Sequence, residues 1–273
     1  MDVERYAELS EKVDLAGLDW TLARRVGLSE DERFILTYFS DIESQTIVYL
    51  RDLLKTKDAL APDVMAFLSI WNYEEFFHGR ALARLLAECG HPLLERCTER
   101  VRAQARLSER LEALGGALLS RLFRDQFPAL YMTWGALNEL TTLRGYERII
   151  ETTANPVLAE LCRRIAKQER RHFAWYYNSA RERLLASRSA QRLTRLILRW
   201  FWSPVGAGVK SEAEVARLLR TLFPGPAAAG LAAAVDAKMA ALPGLAGLTL
   251  MGRYFGRLRP TRAPAPLREA QAA

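Results

Sequence analysis

The sequence predicts an all-α fold built as a bundle of long helices, and three observations support this prediction. Apolar residues recur with helical spacing from about Asp31 to Trp202. The alternating pattern of a strand is nearly absent over the same stretch. Half of the 273 residues are apolar, so the chain can bury a sizeable core.

Two helices are predicted in the first part of the chain. Ser29 precedes acidic residues at 30–32, a pattern typical of a helix start because carboxylates stabilise the positive end of the helix dipole. We expect this helix to run to about Lys55. A second helix begins after Pro62 and ends near Gly90, where a His-Pro pair follows.

A charged stretch at 94–124 separates these helices from the next two. Its pattern is helical with a break expected at Gly115-Gly116, and we expect it to cross over between the two halves of the bundle. A helix from about Pro128 to Thr153 follows. After a turn at Asn155-Pro156, the next helix runs to about Ala186.

The composition changes after Trp202, where proline, glycine and alanine become frequent. Helix-breaking residues stand at Pro204, Gly206, Pro224 to Pro226, and Pro243-Gly244. We therefore predict a bundle domain at 1–203 that includes an N-terminal helical segment. Residues 204–259 should form short helices packed on the bundle, and 260–273 a disordered tail.

The segment 188–202 is amphipathic. Leu193, Leu196, Ile197 and Trp200 lie on one side of the predicted helix, and Arg188, Arg192, Arg195 and Arg199 lie largely on the other. We expect the apolar side to pack against the bundle. Docking of this helix on a membrane surface is the less favoured alternative.

Composition also limits the compartment and the partners. Three cysteines without metal-type spacing do not predict a disulfide framework, and the N-terminus lacks an apolar signal core, so we expect a soluble cytoplasmic protein. The net charge of +7 favours acidic partners, such as an acidic carrier protein. Nucleic acid is not expected, because the basic residues are spread along helices without a nucleic-acid motif.

Two matching fragments use two of the only three histidines. Glu75 and His78 are three residues apart, as are Glu169 and His172, so each pair lies on one helix face. Two more glutamates precede them at similar distances: Glu43 lies 32 residues before Glu75, and Glu139 lies 30 before Glu169. One Glu from each of two helices and Glu-x-x-His from each of two others is the ligand pattern of a two-metal helical bundle.

The surroundings of these residues favour a metal site. Apolar residues share their helix faces, for example Leu36, Phe39, Ile47 and Leu50 around Glu43. A single Glu or His in such a place is commonly salt-bridged or simply packed, but four buried carboxylates would repel one another without a counter-charge. Two Fe(II) ions would balance them, and carboxylate with imidazole suits iron or manganese better than structural zinc.

Three local motifs carry a resemblance to a known family. They are Trp71-Asn-Tyr-Glu74-Glu75-Phe-Phe-His78-Gly79, Glu139 followed at the third position by Thr142, and the second Glu-x-x-His. With these motifs the chain resembles the soluble acyl-acyl carrier protein desaturases of the ferritin-like di-iron superfamily. The resemblance covers roughly residues 30–185. It implies a ferritin-like four-helix bundle with a long crossover and a six-ligand di-iron site.

The resemblance also implies roles for individual residues. Glu75 and Glu169 would bridge the two irons, and Thr142 would place a hydroxyl near the oxygen-binding face. Glu74 would orient a ligand histidine, and Trp71 would pack beside the cluster. The alternative for Thr142 is a hydroxyl bonded back to its own helix. A homodimer and a ferredoxin-like electron donor are implied as well.

The chain departs from the family at one site position and in its last third. Gln168 stands where the family usually has Asp before the second ligand Glu. A neutral amide can still orient a histidine, but the electron route through that Asp is not carried over. The divergent C-terminal third means that chain length and double-bond position are not carried over either.

The sequence thus predicts an enzyme that uses dioxygen and two irons to introduce a double bond into a carrier-bound fatty acyl chain. Gly135 and Ala136 are small and would leave room for that chain, although small residues equally permit close helix packing. One alternative is another di-iron oxygenase, such as a hydroxylase, an N-oxygenase or an aldehyde-deformylating enzyme, because the pocket decides the product. A less favoured alternative is a non-enzymatic iron-handling protein.

Overall fold

The structure is a computed structural model that describes residues 2–54, 61–93, 122–207 and 209–258. The predicted crossover at 94–124, except for its last three residues, lies outside this part of the chain, as does the predicted tail at 260–273. The expected break at Gly115-Gly116 lies outside it as well.

Every regular element in the described residues is a helix, which confirms the all-α class. The helices are α1 (Val3–Glu8), α2 (Trp20–Val26), α3 (Glu30–Leu54), α4 (Pro62–Glu88), α5 (Phe127–Thr152), α6 (Pro156–Ala186), α7 (Arg188–Phe201), α8 (Glu212–Leu222), α9 (Pro226–Ala240) and α10 (Leu250–Arg257). The four longest, α3 to α6, begin and end within two residues of the predicted positions.

Local capping explains where the long helices begin. Ser29 and Glu32 form a reciprocal cap, because the Ser29 hydroxyl accepts from the Glu32 N–H and the Glu32 carboxylate accepts from the Ser29 N–H. The Asn155 side chain accepts from the N–H groups of Val157 and Leu158, and Pro156 occupies the first position of α6.

The long helices pack as two pairs, α3 with α4 and α5 with α6. Gly79 lets α3 approach α4 closely, because a Cβ there would lie 2.6 Å from the Ser44 hydroxyl. Gly135 has a similar role between α5 and α6, where a Cβ would lie 2.3 Å from the Tyr176 ring. The expectation that Gly135 leaves room for a substrate is therefore wrong, since the Tyr176 ring fills that space.

The N-terminal segment covers the outer side of α4 and α6. Helix α1 packs on α4, and α2 packs on both α4 and α6. The Asn155 amide donates to the carbonyls of Ala23 and Gly27, and Arg164 donates to the carbonyl of Asp14. Polar side chains on the outer faces of α4 and α6 are buried beneath this segment.

The C-terminal helices pack on the opposite side of the molecule, against α3 and α5. Lys210 forms an ion pair with Asp41 of α3 at 2.5 Å, and the Tyr38 hydroxyl donates to the carbonyl of Val205. Asp236 of α9 accepts from three backbone N–H groups at the start of α10. Within the described residues no single helix has the length and apolarity to cross a membrane, and the bent pair α8–α9 passes that test only jointly.

Two predictions of side-chain burial are wrong. Of the four residues on the predicted apolar side of α7, Leu193 and Ile197 are half-buried, whereas Leu196 and Trp200 are exposed. The helix packs on α5 and α6 through a face centred on Thr194, so the face that packs is not the most apolar one. Ile47 is also exposed, although Glu43 and Leu50, which the helical spacing places on the same face of α3, are buried.

Candidate metal centre

The structure brings all six predicted ligand residues together in the middle of the long helices. Each of the six side chains is buried. They form two overlapping groups, Glu43, Glu75, His78 and Glu169 in the first, and Glu75, Glu139, Glu169 and His172 in the second. Within each group the ligand atoms lie within 4.8 Å of one another. Glu75 and Glu169 belong to both groups, so each could contact two metal ions.

The atoms that face the centre of this cluster lack hydrogen-bond partners. They are Nδ1 of both histidines, Oε1 of Glu75 and both carboxylate oxygens of Glu169. His172 Nδ1 lies 2.8 Å from Glu75 Oε1, and His78 Nδ1 lies 3.1 Å from Glu169 Oε1, yet neither contact has hydrogen-bond geometry. Leaving a buried polar atom unpaired costs about 1–3 kcal/mol, more for a charged group. One metal ion in each of the two groups would give all five atoms a partner.

The outer nitrogen of each histidine is held by the residue that precedes the opposite ligand glutamate. His172 Nε2 lies 2.8 Å from Glu74 Oε2, and His78 Nε2 lies 2.7 Å from Gln168 Oε1. With Nε2 as the donor in both contacts, Nδ1 carries a lone pair that points into the cluster. This is the arrangement that metal-binding histidines commonly show.

The N-terminal segment joins these two outer contacts, which the sequence did not predict. The Glu11 N–H donates to Glu74 Oε1 at 3.3 Å, and the Glu11 carbonyl accepts from Gln168 Nε2 at 2.9 Å. The Tyr6 hydroxyl donates to Glu74 Oε2 at 2.9 Å, and Arg171 pairs with Glu74 Oε1 at 2.6 Å. Arg171 directly precedes His172, so its position in the sequence could have identified it. Nothing in the sequence places Tyr6 or Glu11 here.

Two aromatic residues donate hydrogen bonds to Glu139 and Glu43, the two clustered glutamates that have no histidine partner on their own helix. Trp71 Nε1 donates to Glu139 Oε1 at 3.1 Å, so Trp71 does more than pack beside the cluster. The Tyr146 hydroxyl donates to Glu43 Oε1 at 2.6 Å. Tyr146 follows Glu139 by seven residues, two helical turns along the same face, so helical spacing could have identified it.

Burial makes three of the carboxylates hard to ionise when no metal is bound. Burial and the nearby charge of Glu169 raise the pKa of Glu75 to about 7. The same two effects outweigh the attraction of His172 and raise the pKa of Glu139 to about 8. Burial and the charge of Glu75 raise the pKa of Glu43 well above its usual range. A bound cation would stabilise the ionised form of each of these three carboxyl groups, so metal binding would displace their protons into solvent.

Three other groups at the site, Glu169, Glu74 and His172, have pKa values shifted in the sense that favours the charged form. Burial opposes ionisation of Glu169, but the two imidazoles outweigh it and lower the pKa of Glu169. Burial likewise opposes ionisation of Glu74, yet His172 and Arg171 lower the pKa of Glu74 to about 2. Burial alone would lower the pKa of His172, but Tyr6 and the surrounding carboxylates raise it well above its usual range. In the absence of metal, protons therefore supply part of the missing positive charge.

A cavity of about 40 Å³ lies beside the cluster on the C-terminal side. Glu43 and Thr142 are among its lining residues, and the rest of its wall is mostly apolar, with contributions from Val205, Val215 and Leu219. Thr142 is half-buried and makes no hydrogen bond with a described residue, whereas Thr141 bonds back to the Asn138 carbonyl. Since one water needs about 10–15 Å³ of such volume, the cavity has room for roughly three waters or a few methylene groups.

Comparisons of the chain with family models, curated proteins and solved structures find no match. The six buried side chains, their unpartnered inner atoms and the adjoining cavity are the observations from which a function can be argued.

Replacing Glu74 with glutamine is expected to weaken metal binding by about 10- to 100-fold. The amide keeps the shape of the side chain but lacks the charge that holds His172 and Arg171. Anaerobic titration of metal-free protein with Fe(II) measures the change. Glu160→Gln is a matched control, since Glu160 lies on the surface of α6 and, among the described residues, pairs only with Arg163 and Arg164. Equal affinities in the two variants would contradict the orienting role of Glu74.

Proposed function

We propose that this chain is a di-iron, dioxygen-dependent oxidoreductase that introduces a double bond into a fatty acyl chain. In line with the resemblance, helices α3 to α6 would form a ferritin-like four-helix bundle. The observation that carries the proposal is an apolar cavity that reaches Glu43, one of the six clustered residues.

The donor set fits two divalent iron ions. Four carboxylates carry four negative charges when ionised, which two divalent ions neutralise while both imidazoles remain neutral. Oxygen and nitrogen donors without thiolate suit iron, and manganese has similar preferences. When bound, the two irons would supply the power to oxidise an unactivated C–H bond with dioxygen.

The protein's own residues would position the reactants and exclude water. Glu74 and Gln168 hold the imidazoles, and the N-terminal segment shields them from solvent. The cavity would hold a few methylene groups beside Glu43. Thr142 lines the cavity together with Glu43 and has no hydrogen-bond partner among the described residues, so its hydroxyl would be free to pass a proton.

The same cavity argues against an iron-handling role. Glu43 is the one charged residue among those that line it, so the cavity offers no succession of carboxylates along which iron could travel. An apolar wall instead favours an uncharged alkyl group. In line with the resemblance, the acyl chain would be carried by acyl carrier protein, electrons would come from a ferredoxin-like donor, and the enzyme would act as a homodimer.

The mass of the acyl product tests the proposal. Iron-loaded protein is exposed to dioxygen with an acyl-carrier substrate and a reductant, and the acyl group is then analysed by mass spectrometry. Loss of two hydrogen atoms is the expected result. Gain of one oxygen atom would instead identify a hydroxylase, and deposition of an iron mineral without any organic product would favour iron handling.

Replacing Val215 with phenylalanine is expected to reduce product formation by about tenfold or more while two irons remain bound. Val215 is buried and lines the cavity, so the larger ring would occupy the space beside Glu43. Overpacking a core costs about 1–3 kcal/mol of stability, so thermal melting is measured alongside activity. Leu231→Ala, which enlarges the same cavity, serves as the control; unchanged product formation in Val215→Phe would show that the substrate binds elsewhere.

A further inference from the structure

Helix α7 presents large apolar side chains to solvent. Leu196 is 54% exposed and Trp200 is 61% exposed, and the two are one helical turn apart. Phe201, at the end of the helix, is 68% exposed. The buried side of the same helix consists of Ala190, Thr194 and Leu198, so this exposed apolar stripe does not contribute to the core.

Arginines line the exposed apolar stripe. Arg188, Arg192 and Arg199 fall within about 40° of one another around the helix, next to Leu196. Arg188 and Arg192 make no hydrogen bond or ion pair with any residue that the structure describes. Arg199 lies over the Trp200 ring at 5.6 Å. Helix α7 contains no acidic residue, so all the charged side chains that it contributes here are basic. We call this surface, formed by Leu196, Trp200, Arg188, Arg192 and Arg199, the α7 surface.

The charges of the segments outside the described residues argue against these segments as a cover for the α7 surface. The two longer segments outside the described residues, 94–121 and 259–273, each contain more arginine than acidic residues. They would be repelled by the arginines of α7. Charge complementarity calls for an anionic partner instead.

We propose that the α7 surface binds an anionic lipid bilayer. The helix would lie in the plane of the headgroups with Leu196 and Trp200 inserted and the arginines on lipid phosphates. A helix that combines arginines with Trp and Leu on its exposed side suits this location, and tryptophan is favoured at membrane interfaces. The apolar residues stand out from a convex helix surface, which a fluid bilayer can surround without a matching groove.

The position of α7 connects the bilayer with the cavity. Pro204 and Val205, which line the cavity, follow the end of α7 by three and four residues. Binding to a bilayer would therefore place the cavity close to lipid acyl chains. This consequence rests on the proposed function, whereas membrane binding itself does not depend on the metal centre.

Flotation of the full-length protein with lipid vesicles tests the proposal. We expect binding to vesicles of phosphatidylcholine with phosphatidylglycerol, little binding to phosphatidylcholine alone, and weakening with added salt. The double substitution Leu196→Glu and Trp200→Glu should reduce the vesicle affinity by roughly tenfold or more. Arg188→Gln and Arg192→Gln should each reduce it about fivefold. Leu9→Glu is the matched control, because Leu9 is 53% exposed on the N-terminal segment.

Three results would overturn the proposal. They are failure of the wild type to bind anionic vesicles, equal binding by the Leu196→Glu/Trp200→Glu variant, and an equal loss of binding in Leu9→Glu. Titration with an acidic carrier protein provides a further arm, and binding of that protein through Leu196 and Trp200 without vesicle binding would assign the surface to the carrier. Iron content is measured in every sample, so a defective metal centre is recognised separately from a loss of lipid binding.

Discussion

Replacing Glu169 with alanine is expected to abolish binding of both metal ions. Glu169 belongs to both groups of ligand residues, and neither of its oxygens has a hydrogen-bond partner. Both imidazoles also lie within reach of it, His78 Nδ1 at 3.1 Å and His172 Nδ1 at 3.6 Å. Removing the carboxylate therefore takes one ligand from each ion and about one quarter of the balancing negative charge.

The single-group glutamates should behave differently from Glu169. Glu43 belongs only to the first group and Glu139 only to the second, so each alanine variant should lose one ion more readily than the other. Metal content per protein chain is measured after loading with Fe(II) under anaerobic conditions, and helix content is followed by circular dichroism. Glu160→Ala, on the surface of the same helix as Glu169, should keep both ions. Two ions retained in Glu169→Ala would refute the bridging assignment.

The metal-free protein is expected to lose stability as the pH rises from about 6 to 8. Glu75 and Glu139 have pKa values of about 7 and about 8 in the fold, against 4.5 for an unperturbed glutamate. Between 4.5 and these values the folded protein holds protons that the unfolded chain releases, so raising the pH favours unfolding. The raised pKa of His172 acts in the same direction, since its stabilising charge is lost as the pH rises.

The groups with lowered pKa values do not offset this trend. The stability from Glu74 and Glu169 is present above a pH of about 4.5 and stays constant from pH 6 to 8. We expect the melting temperature of metal-free protein to fall by roughly 5 °C or more over this range. Bound metal replaces the protons, so the stabilisation by Fe(II) or Mn(II) should grow with pH and binding should release protons.

Thermal melting with and without metal at pH 6, 7 and 8 measures this effect. Glu139→Gln is the matched variant, because the amide has the same shape and no proton to lose. Its metal-free form should melt at a higher temperature than the wild type at pH 8, and its melting temperature should depend less on pH. A metal-free wild type that is as stable at pH 8 as at pH 6 would show that these carboxylates are not buried as the structure has them.

Local interactions along the chain determined most of what the sequence could predict. Helix boundaries follow from caps and breakers such as Ser29, Pro62 and Asn155, whose effects extend over one turn. The six clustered residues follow from spacing within and between helices, because an i, i+3 pair shares a face whatever the helix packs against. Buried carboxylates need a counter-charge in any fold, which is why a metal could be inferred from residue types alone.

Packing between distant segments decided the rest. Tyr6 and Glu11 reach Glu74 and Gln168 only because the N-terminal segment crosses α4 and α6, a contact that spans more than sixty residues of chain and has no local cause. The cavity beside Glu43 is lined jointly by α3, α5 and α8, and the space beside Gly135 is filled by the Tyr176 ring. The exposed side of α7 was likewise decided by how this helix packs on α5 and α6. Amphipathic spacing identifies an apolar side of a helix, but only the neighbouring elements decide whether that side is covered.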